Sequence, residues 1–397
     1  MARYGFELSE KFAIPVLLRL VTRLSHSRAV VEVDDTPDAE NKLSYPASPR
    51  QWVLMPAISK QRYKQLLADY DKFEQSSEDS PFNKYIDAAD KSLGIVVSGL
   101  AWNYLNEVFP DGIPYPTVKV SQYPVPVKKI DRLFKECESV VVIEEGQPFL
   151  ERKIRGVLNR TGQIYGKLTG ELNVTGELTP DLVKEAFLKI KGEACINSES
   201  TRSESKITMP RPPALCQGCG HRDVYAALNG VLAEYESPKV FGDIGCYTLG
   251  FLAPFNAIDT VVDMGASITM AKGAADAGQH PAVAIIGDST FTHSGMTGLL
   301  DAVNENSPIT VIISDNLTTG MTGGQDSQGT GKLEDICLGL GVDPKHCRTI
   351  DSLPKNVEQM KELFREEIEY PGLSVIISRR ECIQTARRHA GAKKPAK

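Results

Sequence analysis

Residues 282–316 read AVAIIGDSTFTHSGMTGLLDAVNENSPITVIISDN. Two continuous apolar runs, AVAIIG and ITVIIS, flank a stretch long enough for a helix. Runs of this kind, with no polar residue at every second position, are those of a parallel sheet covered on both faces. A right-handed crossover from 289 to 307 then brings Asp288 and Asn316 to the tips of neighbouring strands, at one edge of the sheet.

Similar runs lie on either side. KVFGDIG (239–245), IDTVVDMG (258–265) and LSVIISR (373–379) read as further strands, alternating with helical stretches near 220–236, 265–278, 294–305 and 356–369. The expectation is an α/β fold, a doubly wound parallel sheet over 214–386. Such sheets bind ligands outside the carboxyl ends of their strands, where GDIGC, DMGAS, GDST and SDNLTTGMTGGQ would gather. A smaller α/β domain is expected over 52–193, with strands in LGIVVSG, PTVKVS and SVVVIEE and helices in LAWNYLNEVF, VKKIDRLFKEC and a polar region at 61–75. Residues 1–31 read as a helix (GFELSEKFA) and an apolar strand (IPVLLRLV), a fragment that cannot bury its own faces. Two segments rich in Pro, Ser and acidic residues, 32–51 and 194–213, read as linkers, and 387–397 as a flexible tail.

With 45 basic and 51 acidic residues, the chain carries no excess positive charge, which argues against a nucleic-acid partner. Its apolar runs are too short for a membrane span, and MARYGFELSEKFAIP lacks the apolar core of a secretory signal, so a cytoplasmic location is expected. Eight cysteines, at 137, 195, 216, 219, 246, 337, 347 and 382, are too sparse for a disulfide framework.

Asp288, Asn316 and a nearby backbone carbonyl make a half-shell of hard oxygens suited to Mg²⁺, which completes its coordination with water and substrate phosphates. A strand-end Asp or Asn can equally cap the next helix or turn. The glycine-rich TTGMTGGQ, whose amides can face a diphosphate, favours the metal. The pattern resembles the thiamine diphosphate fingerprint, Gly-Asp-Gly followed some 25 residues later by Asn-Asn. Ser289 stands for the third Gly and Asp315 for the first Asn, and residues 290–314 give the same spacing. The resemblance assigns the magnesium ligands to Asp288, Asn316 and the carbonyl of Thr318, and the diphosphate cradle to Gly245, Gly287, Ser289, Gly320, Met321 and Thr322.

In PALCQGCGHR, Cys216 and Cys219 have the C-x2-C spacing that lets two thiolates reach one centre. Zinc, an iron–sulfur cluster and plain buried thiols all remain open for the pair alone. Cys246 and Cys382 follow strands and would reach the same edge, so four thiolates suffice for a [4Fe–4S] cluster. PALCQGCGHRDVYAALNG, GDIGCYTLGFLAPFNAIDTVVDMGASITMAKGA, IIGDSTFTHSG and DNLTTGMTGGQD, with upstream blocks such as VVVIEEGQPFLERKI, resemble the indolepyruvate:ferredoxin oxidoreductase alpha-subunit family, within the 2-oxoacid:ferredoxin oxidoreductase superfamily. This implies a sheet of thiamine-diphosphate-binding type, a transketolase C-terminal-like small domain, and a cluster on Cys216, Cys219, Cys246 and Cys382. It also implies oxidative decarboxylation of a 2-oxoacid, expected to be an aryl pyruvate, to acyl-coenzyme A.

The family begins with a pyrimidine-binding domain, of which residues 1–31 match the end, with Arg23, Ser25 and His26 in an Arg-x-Ser-His stretch. It ends in a ferredoxin-like domain not seen here, and the glutamate that protonates the aminopyrimidine cannot be assigned. The expectation is an obligate hetero-oligomer with a pyrimidine-domain subunit, a gamma-type subunit and ferredoxin or a ferredoxin-like subunit; the other expectation is that Met1 marks a truncated start. His221 and His293 are candidates to face substrate, while Glu144 and Glu145 read as a strand end. Met264, Met270 and Met321 read as packing residues. A non-redox thiamine-dependent decarboxylase or synthase, and a zinc-stabilised scaffold, are the competing readings.

Overall fold

The computed structural model describes residues 1–32, 53, 55–193 and 212–392. Both expected linkers fall largely outside these. The chain forms two compact units, Met1–Ser205 and Lys206–Lys397.

In the first unit, a five-stranded sheet has the order β1-β3-β2-β4-β5. The strands are β1 (Lys84–Ile86), β2 (Gly94–Ser98), β3 (Thr117–Val120), β4 (Ser139–Ile143) and β5 (Gln163–Tyr165). All pairings are parallel except β1 with β3. Ile95, Val97, Val141 and Ile143 pack one face with the helices Ala101–Val108 and Pro180–Lys191. Val96, Val118, Val140 and Val142 pack the other with Val127–Glu136 and Phe149–Arg155. Apolar residues at every strand position thus serve two cores. The helix Ala2–Phe12 forms as read, but among the described residues 15–21 pairs with no strand. Leu17 is 92% exposed, because an apolar run becomes a strand only where a neighbouring edge takes its hydrogen bonds. Arg23, though exposed, is held by Glu177, the Tyr104 hydroxyl and the Leu178 carbonyl.

The second unit is built on a six-stranded parallel sheet of order β12-β13-β9-β8-β6-β7. Its strands are β6 (Lys239–Gly242), β7 (Thr260–Val261), β8 (Ala282–Gly287), β9 (Thr310–Asp315), β12 (Cys347–Asp351) and β13 (Ser374–Arg379). The short β10 (Thr318–Thr319) and β11 (Gln325–Asp326) pair antiparallel inside the glycine-rich loop. Val283, Ile285, Ile312 and Ile376 face the helices Gly220–Leu232 and Val357–Glu369. Ala284, Ile286, Ile313 and Ile377 face Ala266–Asp276, Met296–Asn304 and Leu333–Gly339. The doubly wound fold is as expected.

Several local expectations are corrected. IDTVVDMG yields a two-residue edge strand, with Val262 66% exposed. A sixth strand, β12, joins the other edge. The helix Ile383–Ala392 runs into the segment read as a tail. Met270 packs in the core, whereas Met264 and Met321 are exposed.

Candidate active site

Because β13, β9, β8 and β6 are parallel neighbours, the residues that follow them share one edge in that order. Those residues are Cys382, Asn316, Asp288 and Cys246. Register holds them level: Gly287 lies opposite Ser314, and Asp315 opposite Arg379. Beyond the strands, the Cys382 amide donates to the Asn316 carbonyl at 3.0 Å. The fourth element, the start of helix Gly220–Leu232, is fastened by an Arg380–Asp223 ion pair at 2.8 Å. It carries Cys216 and Cys219 to the same place, where Gln384 Nε2 lies 3.5 Å from the Cys216 sulfur.

A cavity of about 150 Å³ results, lined by Cys216, Cys219, Cys246 and Cys382 together with His221, Asn316 and Gly320. Among the described residues, no three His, Cys, Asp or Glu side chains close tightly enough on one point to hold a single metal ion. Four thiols around a cavity suit a four-iron cube instead, in which each thiolate binds a different iron. Burial pushes the Cys219 thiol up, opposed by the His221 amide, and pushes Cys246 up to about 11, with the other thiols and Asp288 adding to it. A cationic centre would reverse that, since a coordinating thiol loses its proton outright.

Asp288 is 3% exposed at the tip of β8. Its Oδ1 accepts the Ser289 amide at 2.8 Å, and Oδ2 is buried with no hydrogen-bond partner among the described residues. Burial raises its carboxyl to about 6, opposed by Ser289, the Ser327 hydroxyl and the Thr318 amide, and reinforced by Asp315. The Thr318 amide also donates to Asn316 Oδ1 at 3.1 Å, so the carboxylate and the amide oxygen converge on one backbone turn. An unpaired buried carboxylate oxygen is a costly arrangement unless a cation meets it. The residues therefore fit Mg²⁺ on Asp288, Asn316 and Thr318. The glycines here are required by close packing: a Cβ on Gly320 would stand 3.1 Å from the Cys246 sulfur, and a Cβ on Gly245 or Gly287 would strike the Tyr247 ring. Met321 and Thr322 lie in the short turn that follows, Met321 65% exposed.

The two departures from the thiamine pattern have structural accounts. Ser289 Oγ hydrogen-bonds Thr319 Oγ1 at 2.9 Å, tying the strand tip to the loop. Asp315 is buried and paired by Arg379 at 2.7 Å on the adjacent strand, which offsets the charge that replaces an amide.

His221 is buried in the cavity wall, its Nε2 unpaired, and burial holds its pKa down to about 4. It is a neutral imidazole near pH 7. His293 is exposed, on the π-helical turn Phe291–Gly295, with Nδ1 3.1 Å from Ser294 Oγ. The sequence reading did not single out Ser327, Arg379 or the pair Asp243–Tyr247. Asp243 is fully buried, bonds the Tyr247 hydroxyl and accepts from Ser267 Oγ at 2.7 Å. Only the matched endings ISD and ISR of two strands hinted at Arg379.

Residues 243–378 match the family described as thiamine pyrophosphate enzyme, C-terminal TPP binding domain. A protein of Archaeoglobus fulgidus named indolepyruvate oxidoreductase subunit IorA is 33% identical over 98% of this chain and 65% of its own length. One of the same name from Methanothermobacter marburgensis is 33% identical over 96% of this chain and 64% of its own. The chain thus spans about 65% of the length of the relatives it matches. Among solved structures, a 2-oxoglutarate:ferredoxin oxidoreductase from Magnetococcus marinus is similar at 18% identity and TM-score 0.37, covering 44% of this chain and 66% of that one.

Proposed function

Since the chain belongs to the family of the indolepyruvate oxidoreductase subunits IorA, we propose that it is the thiamine-diphosphate- and [4Fe–4S]-binding subunit of an oxidoreductase that turns a 2-oxoacid, an aryl pyruvate, into acyl-coenzyme A and passes electrons to ferredoxin or a similar acceptor. The observation that carries this reading is the convergence of Cys216, Cys219, Cys246 and Cys382 on one cavity, at the strand edge where Asp288 keeps an unpaired oxygen.

Bound, thiamine diphosphate supplies the nucleophilic carbon and electron sink for decarboxylation, and the cluster supplies a one-electron acceptor. The chain's own part is to hold and orient. Asp288, Asn316 and the Thr318 carbonyl would hold Mg²⁺, and the backbone from Gly320 to Thr322, with the tips at Gly245 and Gly287, would receive the diphosphate. Ser289 fixes the loop against the strand tip. His221 presents a neutral hydrogen-bonding edge inside the cavity, where burial keeps it from carrying a second proton at neutral pH. His293, on the exposed turn after Asp288, can meet substrate from the solvent side. A pyrimidine-domain subunit, a gamma-type subunit and a ferredoxin-like subunit complete the assembly in the cytoplasm. Among the described residues, no helix is long and apolar enough to cross a membrane.

Anaerobic purification with these partners tests the reading. A brown protein with about four irons per chain, bleached by an aryl pyruvate plus coenzyme A, is the expected result. Cys382→Ser should lose the iron although it lies far along the chain from Cys216. A colourless preparation that still decarboxylates would establish the non-redox alternative.

A further inference from the structure

Two cysteines outside the cavity form a second site. Cys337 is fully buried on helix Leu333–Gly339, and Cys347, part-buried, opens the edge strand β12. Both pack in the same core cluster, and Cys347 shares a face of its strand with Thr349, two residues on, which faces the helix that carries Cys337. The placement is built by the chain between them. Val342 N–H bonds the Cys337 carbonyl at 3.1 Å, and His346 N–H bonds the Asp343 carbonyl at 2.9 Å, with Gly341 at φ 99° making the reversal. The Thr349 hydroxyl then bonds the Glu334 carboxylate, fastening strand to helix one turn away. Cys347 lies at the amino end of its strand, the opposite end of the sheet from Cys246 and Cys382, so this pair is no part of the four-thiol set.

We propose that Cys337 and Cys347 are an oxidative modification site, a dithiol that a peroxide converts into an intramolecular disulfide. The Cys347 thiolate attacks one oxygen of hydrogen peroxide, the O–O bond breaks, and a sulfenic acid and hydroxide form. The Cys337 sulfur then attacks the Cys347 sulfur, the S–O bond breaks, the thiol proton leaves with the departing oxygen as water, and the S–S bond closes. In balance, two thiols lose two electrons and two protons while one peroxide becomes two waters. The roles follow from position. Cys347 stands part-buried at the start of an edge strand, where a small oxidant reaches it before the enclosed Cys337. Cys337 is enclosed in the core. Cys137 is the internal comparison: part-buried at the end of helix Val127–Glu136, it has its thiol pushed up by burial.

The test is differential alkylation and peptide mass mapping of the full chain after graded hydrogen peroxide, with iron measured on the same samples. A peptide pair linked through Cys337 and Cys347 should appear at doses where Cys137 remains a thiol, with Cys347 consumed about tenfold faster than Cys137. In Cys337→Ser, Cys347 should go on to sulfinic acid without a link, and in Cys347→Ser, Cys337 should stay reduced. Equal reaction of Cys137 and Cys347, or sulfinic acid at Cys347 with no linked peptide in the unaltered chain, would overturn the proposal. Because the readout is a mapped bond, it stands or falls separately from the iron content at the other end of the sheet.

Discussion

At the end of β4 in the first unit, Glu144 is 3% exposed and both its oxygens are occupied, by the amides of Leu150 at 2.8 Å and Glu151 at 3.0 Å. At the end of β8 in the second unit, Asp288 is also 3% exposed, and one oxygen has no partner. Both carboxylates follow parallel strands, and burial raises both pKa values. The difference lies in the hydrogen-bond account. The first edge uses its carboxylate to close the helix Phe149–Arg155, and the second leaves one carboxylate oxygen buried without a partner among the described residues. A shared fold therefore supplies the address, and unspent polar capacity marks which edge is a site.

The comparison breaks most directly at Asp288. Asp288→Ala should lower the affinity of the chain for thiamine diphosphate with Mg²⁺ by more than about 100-fold, beyond what loss of an outer-sphere partner produces, with the far-ultraviolet spectrum unchanged. Calorimetric titration measures it, and an unaltered affinity would remove Asp288 from the metal. A smaller effect is expected at Asp243, whose carboxyl burial raises from 3.8 to about 6. A raised folded-state pKa gives stability that is whole below the unfolded value near 4 and lost as pH climbs through about 6. The cofactor-free chain should therefore weaken across that window by on the order of 2 kcal/mol. Asp243→Asn, which keeps an acceptor for Tyr247, should lessen the slope and leave the part due to Asp288, whose carboxyl burial also raises to about 6. Denaturant midpoints at several pH values decide, and a slope as steep in the variant as in the parent refutes the assignment.

How far the sequence disclosed this depends on what each residue's role rests on. β8, β9 and β13 were legible because continuous apolar runs have few other uses. β12 was not: CRTID has one buried position of five at a sheet edge, so it carries no periodic signal. The apolar 14–21 misled, since pairing is a property of the neighbour as much as of the run. Cys246, Asp288, Asn316 and Cys382 could be placed together because parallel strands end on one edge whatever their detailed register. Arg379 opposite Asp315, and Tyr247 between two glycine tips, depend on register and burial that no spacing encodes. The same holds for Cys337 and Cys347, where a reversal within one loop brings two thiols into one core cluster.

The smallest effect should come from Glu144→Gln. Glutamine keeps one acceptor oxygen and puts an amide NH₂ against a second N–H, which forfeits a hydrogen bond of roughly 1 kcal/mol. Against this, Glu144 is held above the usual carboxylate range by burial even though amides of the next helix oppose it, so removing the charge relieves a comparable desolvation. The two changes nearly cancel. Urea unfolding should place the variant within about 1 kcal/mol of the parent, whereas Glu144→Ala, which strands both amides, should lose about 2 kcal/mol. Neither substitution should alter thiamine diphosphate affinity or iron content. Should either one do so, the β4 edge would belong to the working site, and hydrogen-bond satisfaction would no longer separate the two sheets.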